Sequence, residues 1–296
     1  MKTKQISIVS GKGGTGKTTI AGSMAVLFEN HVVSDCDVDS SNLHLLLNPV
    51  DTKKDEYWAG HKATIDKDKC IGCGECGKAC RFNAIGISEG GKYAVDPFAC
   101  EGCKACVIVC PVDAVNINLN HPGDYYLSRT DQAPFVHADL KPGEEMSGGL
   151  VAQVRKTSLK TATDRKKDYI VIDGAPGIGC PATSSITGTD YVLLVTEPTV
   201  SGIYDMKRMM ETIEHFSIPY GVVLNRSDIN PEKSREIGRY CREKGVEILA
   251  GIPYDETVNA ANSRGYPVVS VPESPAGKEM IKLHKKVIGA ISSENK

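Results

Sequence analysis

The sequence predicts an α/β fold: a mostly parallel, doubly wound sheet covered by helices on both faces and interrupted by a small α+β module. Three observations lead there. Short apolar stretches alternate with helical patterns at both ends of the chain, a glycine-rich turn joins the first such stretch to the first helix, and eight of the eleven cysteines fall between Cys70 and Cys110.

Along the chain, Ile6–Val9 reads as a strand, Lys17–Phe28 as a helix and Val32–Asp35 as a second strand. Further strands follow at Tyr169–Asp173, Tyr191–Thr196, Tyr220–Leu224 and Val246–Ile252, with helical patterns over Ile203–Phe216 and Pro231–Lys244. Strands that are nearly all apolar imply a parallel sheet buried on both faces. The alternation breaks between Tyr57 and Asn120, and Gly123–Gly149, rich in Pro, Gly, Asp and Glu, reads as irregular structure returning to the main domain. Residues 1–60 and 121–296 are therefore expected to form one domain in two parts, with 61–120 inserted.

With 296 residues, 41% hydrophobic and 24% charged, the chain can build one large globular domain with a small one attached. Lys and Arg total 35 against 37 for Asp and Glu, which gives no overall pull toward nucleic acid or anionic lipid. No window approaches the roughly 18 apolar residues of a membrane span, so the expectation is a cytoplasmic protein without nucleic-acid partners. Near the carboxyl end, Met280, Leu283, Val287, Ile288 and Ile291 form a stripe at helical spacing flanked by Lys278, Lys282, Lys285 and Lys286. A basic membrane-binding helix fits that pattern; docking on the sheet is favoured, with Ser292 to Lys296 left as a tail.

Gly11-Lys-Gly-Gly-Thr-Gly-Lys-Thr-Thr19 follows a strand and opens a helix, the context in which glycines let backbone amides converge on phosphates. Gly11, Gly13, Gly14, Thr15 and Gly16 are the cradle, and Thr19 continues it into the helix. Lys17 is placed to reach the β- and γ-phosphates of ATP or ADP, and the Thr18 hydroxyl to ligate Mg²⁺. The apolar strand Ile170-Val-Ile-Asp173 delivers a carboxylate, so Asp173 is expected to hold Mg²⁺ through water and Gly177 to sense the γ-phosphate.

The residues GKGGTGKTT resemble the deviant phosphate-loop motif of the MinD/ParA branch of P-loop ATPases. The resemblance covers roughly Gln5–Leu45 and Asp168 to the end. It implies a P-loop NTPase fold, ATP hydrolysis, and a homodimer in which Lys12 reaches the partner's nucleotide. It also implies that Asp37, in Ser34-Asp-Cys-Asp-Val-Asp39, positions the attacking water, with Asp39 as substitute. Asn225, closing the fifth strand, then reads the base, and Pro253 lies along the purine.

The insert carries Cys70-x2-Cys73-x2-Cys76-x3-Cys80 and Cys100-x2-Cys103-x2-Cys106-x3-Cys110-Pro111 in a duplicated frame. That spacing matches two-cluster bacterial ferredoxins, where the fourth cysteine of each run ligates the other cluster. Cys70, Cys73, Cys76 and Cys110 are assigned to one [4Fe–4S] cluster; Cys100, Cys103, Cys106 and Cys80 are assigned to the other. Gly72, Gly74 and Gly102 permit the tight loops, and Arg81 stands where proline usually follows the fourth cysteine. Structural zinc is the alternative for paired C-x2-C, but it leaves the x3 step unexplained. Cys180, beyond the Asp173 segment, and Cys36 read as free thiols in preference to further ligands.

Two functions of different class fit these features. One is a nucleotide-gated ATPase coupling ATP state to electron transfer, or to metallocentre maturation, in a redox or metalloprotein partner. The other is a positioning or scaffold ATPase whose clusters are structural or sensory. A carrier that hands clusters on is disfavoured, because four cysteines hold each cube.

Overall fold

The structure, a computed structural model, describes residues 2–293. From the amino terminus run β1 (Lys4–Ser10), α1 (Lys17–Leu27), β2 (His31–Asp35), α2 (His44–Leu47) and β3 (Val50–Tyr57). The cysteine-rich stretch contributes β4 (His61–Ile65), α3 (Glu75–Ala79), β5 (Ile85–Ile87), β6 (Tyr93–Val95), α4 (Ala105–Ile108) and β7 (Val115–Leu119). The chain returns through β8 (Gly123–Arg129), β9 (Pro134–Leu140) and α5 (Ser147–Asp164) to β10 (Tyr169–Pro176) and α6 (Cys180–Ile186). It ends with β11 (Tyr191–Thr196), α7 (Val200–His215), β12 (Tyr220–Asn225), α8 (Pro231–Glu243), β13 (Ile248–Ile252), α9 (Glu256–Ser263) and α10 (Pro275–Ser293).

Two compact units result: residues 1–55, 124–139 and 147–296 form one, and residues 56–123 and 140–146 the other. The larger unit is built on a nine-stranded sheet in the order β13-β12-β11-β1-β10-β2-β9-β8-β3. Neighbours from β13 through β9 pair in parallel. The period-two alternation of strands sorts their side chains to two faces. Ile6, Ile8, Leu193 and Val195 pack with α1 and α10 in one apolar layer. Val9, Val192 and Leu194 pack with α6, α7 and α8 in the other.

The region expected to be irregular is largely ordered. Gly123–Arg129 and Pro134–Leu140 form a hairpin closed by Thr130 N donating to Ala133 O at 3.0 Å, and α5 starts at Ser147. β9 docks on β2 through Val33–Phe135 and Ser34–Val136, with Phe135 and Val136 fully buried. The side-chain pairs Asp51–Arg129, Thr52–Ser128 and Lys54–Asp124 show β3 running against β8 at the sheet edge. β3 (VDTKKDEY) is exposed along most of its length, and lysines on such an edge discourage pairing with other chains.

The stripe of α10 is internal to the fold: Met280, Leu283, Val287 and Ile291 join the apolar layer against α1 and β13, and its apolar face is therefore not free for a membrane. Ser292 still belongs to α10, whereas residues 294–296 of the expected tail lie outside the described residues. No described helix is long and apolar enough to cross a membrane.

The smaller unit repeats one construction. β4 pairs antiparallel with β7, and β5 with β6. α3 follows Gly74 (φ 81°) and α4 follows Lys104 (φ 68°), each in the left-handed region just before a cysteine-bearing turn. Asn83 (φ 54°) and Asp113 (φ 49°) occupy matching places three residues after Cys80 and Cys110. Ala63, Cys76, Cys106 and Val115 form its small core.

Candidate functional site

β1 lies between β10 and β11, and the chain winds to one side of it through β2 and to the other through β11. The crevice at such a reversal, beyond the carboxyl ends of the strands, is where open α/β sheets bind ligands. Gly11–Gly16 occupies it, and two of its glycines are obligatory. A Cβ on Gly11 would come within 2.3 Å of the Asp205 carbonyl oxygen; one on Gly16, whose φ is 89°, would come within 2.3 Å of Asn225 Nδ2. The loop is braced by Ser10 Oγ donating to Lys12 O at 2.8 Å, Asn225 Nδ2 donating to Thr15 O at 2.7 Å and Arg226 donating to Gly14 O at 3.4 Å. Asn225 therefore touches the phosphate loop itself.

Lys17, 5% exposed, is the electrostatic centre. Its Nζ lies 2.6 Å from Asp173 Oδ1 and 3.4 Å from both Asp37 Oδ2 and Thr18 Oγ1. Burial alone would lower the ammonium's pKa, but Asp173 and then Asp37 outweigh it and raise it. The Asp37 carboxyl is pushed up, chiefly by burial, against the pull of Lys17.

Asp35 was not singled out by sequence, yet it organises the loop carrying Asp37. Its Oδ1 accepts from Asp37 N at 3.0 Å, and its Oδ2 accepts from Ser41 Oγ at 2.8 Å and Leu43 N at 3.3 Å. Burial, with repulsion from Asp173, pushes it to about 7. The signal available in the sequence was its place at the end of a buried strand, the same placement that marks Asp173.

Gly13, Lys17, Thr18, Asp37, Asp39 and Arg226 line a cleft of ≈ 520 Å³ over the loop. A smaller adjoining cavity is walled by Gly16, Thr19, Asn225, Pro253, Asn262 and again Arg226. Asn262 Nδ2 donates to Thr19 Oγ1 at 3.0 Å. Gly177, at φ 85° just past β10, donates its N–H to Ser10 O at 2.9 Å. Lys12 is engaged elsewhere: its Nζ is 2.7 Å from Glu197 Oε1 and 3.0 Å from Ser201 Oγ. Glu197 is a second residue that sequence reasoning missed. Asp173 Oδ2 and Thr15 Oγ1 are buried with no hydrogen-bond partner among the described residues.

In the smaller unit, Cys70, Cys73, Cys76 and Cys110 line one cavity, three from the first run and the last from the second, with Ile65, Tyr93 and Val115 among its apolar walls. Backbone amides reach the sulfurs: Ala114 N donates to Cys110 Sγ at 3.2 Å, and Ala84 N to Cys80 Sγ and Ala63 N to Cys100 Sγ at 3.4 Å. Amide hydrogen bonds from Tyr93 and Gly72 lower the Cys70 thiol's pKa, whereas burial raises those of Cys76 and Cys106. Cys103 is exposed, and Cys106 lies in the core. Among the described residues no three His, Cys, Asp or Glu side chains converge on a single-ion site. Cys180 is exposed at the start of α6; Cys36 is buried, its thiol pushed up to about 12 by burial.

A strand, glycine loop and helix at the reversal point of a parallel sheet, with a buried lysine facing Asp173 of β10 and Asp37 just past β2, define a P-loop nucleotide-binding protein. The chain belongs to the CobQ/CobB/MinD/ParA nucleotide binding domain family, which it matches over residues 6–268. An uncharacterized protein of Methanocaldococcus jannaschii is 35% identical over 236 residues, 76% of this chain and 79% of that one. An iron–sulfur cluster carrier protein of the same organism is 23% identical across 98% of this chain and 86% of its own length. The cell division ATPase MinD of Pyrococcus furiosus superposes with a TM-score of 0.58 at 25% identity, covering 98% of this chain and 100% of that one. The fold is thus that of the family's nucleotide-binding ATPases.

Proposed function

We propose that the protein is a Mg²⁺-dependent, homodimer-forming ATPase whose cysteine module, residues 61–120, holds two [4Fe–4S] clusters and passes electrons to a redox or metalloprotein partner under control of the bound nucleotide. The observation that carries this reading is the cavity walled by Cys70, Cys73, Cys76 and Cys110, in which the second cysteine run closes the first. Four sulfurs, amide donors to them and apolar walls suit a cube better than a lone ion. The second set, Cys100, Cys103, Cys106 and Cys80, follows from the repeat. When bound, such clusters supply one-electron transfer at low potential. The name of the carrier relative points to iron–sulfur chemistry as well.

In the ATPase unit Thr18 and Asp173 would hold Mg²⁺, which neutralises phosphate charge; the partnerless, buried Asp173 Oδ2 fits that role. Lys17 neutralises the β- and γ-phosphates, and the cradle amides orient them. Asp37 orients the attacking water, Gly177 senses the γ-phosphate, and Asn225 and Pro253 flank the base. Lys12 reaches the partner's nucleotide in the closed dimer. The cysteine module is spliced between the segments bearing Asp37 and Asp173, so both elements that feel the γ-phosphate are covalently continuous with it. A reducing cytoplasm suits this chemistry.

The test is anaerobic purification with iron and sulfide analysis, followed by stopped-flow oxidation of the reduced protein by a small one-electron acceptor with Mg·ATP or Mg·ADP. About eight irons per chain and a faster reaction with ATP are expected. Zinc in place of iron would remove the clusters, and equal rates would remove the gating.

A further inference from the structure

Glu197 follows β11 immediately, and its carboxylate is held by two cations. Lys12 Nζ is 2.7 Å from Oε1, and the Arg226 guanidinium is 3.0 Å from Oε2. Both cations also touch the machinery on either side: Lys12 donates to Ser201 Oγ at 3.0 Å, and Arg226 to Gly14 O at 3.4 Å. The Glu197 side chain is 9% exposed and that of Lys12 28%, so the pair is partly desolvated and stronger than a surface ion pair.

The turn that carries Glu197 is rigid. Thr199 Oγ1 accepts from Gly202 N at 2.9 Å and caps α7, and a Cβ on Gly202 would come within 2.4 Å of the Glu197 carbonyl oxygen. Glu197 is fixed by this packing, whereas Lys12 sits on a long, flexible stem. If Lys12 leaves, Arg226 still pairs the carboxylate, so no buried charge is left alone.

We infer that Glu197 is a positioning residue: a latch that holds Lys12 against its own subunit and thereby sets the protein concentration at which nucleotide closes two subunits. The inference rests on the reading that Lys12 reaches the partner's nucleotide.

The experiment is sedimentation velocity of the full chain with a non-hydrolysable ATP analogue and Mg²⁺, comparing wild type with Glu197→Gln, Glu197→Asp and Ser201→Ala. Glu197→Gln should dimerise at about tenfold lower concentration, and Glu197→Asp should stay near wild type. Ser201→Ala should shift the same way by less, and Lys12→Ala placed on Glu197→Gln should abolish the gain, which a merely structural role for Glu197 would not predict. If wild type dimerises and Glu197→Gln does so at an unchanged or higher concentration, the latch fails while the dimer reading stands. If Glu197→Gln does not fold, an unchanged threshold in Ser201→Ala overturns the latch. If no variant dimerises although all bind nucleotide, the homodimer reading falls and the latch with it.

Discussion

Lys17 Nζ lies 2.6 Å from Asp173 Oδ1, so one buried ammonium ties β10 to the first residue of α1. Asp37 at 3.4 Å and Asp35, which repels Asp173, complete a group of three carboxylates around a single cation. The arrangement carries an excess of negative charge in a poorly solvated place. A site of that kind favours a proton on Asp35, a divalent cation at Asp173, or both.

Lys17→Ala should expose that imbalance. Removing one partner of a buried pair costs about 3 kcal/mol, and ATP turnover should be lost. Carboxylates whose folded pKa is raised bind more protons folded than unfolded, so their contribution to stability falls as pH rises. In the wild type, Asp35 makes this contribution between about pH 4 and its value of about 7. In Lys17→Ala, where Asp35, Asp37 and Asp173 all lose their cation, the stability loss measured by urea denaturation should be larger at pH 7.5 than at pH 5.5. Equal losses at both pH values would show that the three carboxylates do not share the lysine's charge.

Acid acts oppositely through two buried histidines. His31 is 1% exposed, and burial, with Lys167 and His284, pushes it to about 4 against the opposing pull of the Ala25 backbone. His137, stacked on Phe135 and Tyr126 at 4.7 and 4.8 Å, is likewise pushed to about 4 by burial and His44. A lowered histidine pKa gives stability that is present above the unfolded value and lost as pH falls from about 6.5 toward 4, up to about 3 kcal/mol each. His31→Phe should therefore flatten the pH dependence of stability in this window by nearly one proton. Parent and variant carry the same cysteine module, so the difference in slope isolates the histidine.

These buried histidines show where sequence reading succeeds and where it stops. β1, β2 and β10 to β13 were legible because strands buried on both faces are almost continuously apolar. β3 was not, because an edge strand needs no apolar face, and VDTKKDEY offers none. α5 hides its apolar contacts, Leu150, Val151 and Val154, among small and polar residues. In the site, Gly11–Thr19 and the two cysteine runs stand out in the sequence because each is a pattern of local spacing. Asp35 and Glu197 do not, since their roles come from partners that only the folded sheet brings close.

Gly11→Ala and Gly13→Ala make a matched pair. The first drives a methyl group into the Asp205 backbone, while the second meets nothing within 4 Å and needs no positive φ. Gly11→Ala should destabilise by about 1–3 kcal/mol, read as a fall in Tm. Gly13→Ala should leave Tm nearly unchanged, so any loss of affinity in an ATP titration then reports the phosphate cradle alone. A large Tm loss in Gly13→Ala would contradict the open surroundings of that residue.

The sharpest prediction concerns which cysteines act together. Cys110 belongs by sequence to the second run, yet it lines the cavity of Cys70, Cys73 and Cys76. Sequence proximity alone would pair it with Cys103 and Cys106. If the fold decides the ligand sets, Cys110→Ser and Cys73→Ser should perturb the same EPR signal of the reduced protein, and Cys80→Ser and Cys103→Ser the other. Each serine should weaken one cluster and leave the second near full occupancy, so iron should fall toward half in all four variants. Grouping of Cys110→Ser with Cys103→Ser would mean that each run closes its own cube, and the cavity would then have another explanation. A loss of all iron in every variant would instead show that the two halves of the small core around Ala63, Cys76, Cys106 and Val115 fold as one unit. Proteolysis of that module, compared with the intact protein, tells this outcome from the first.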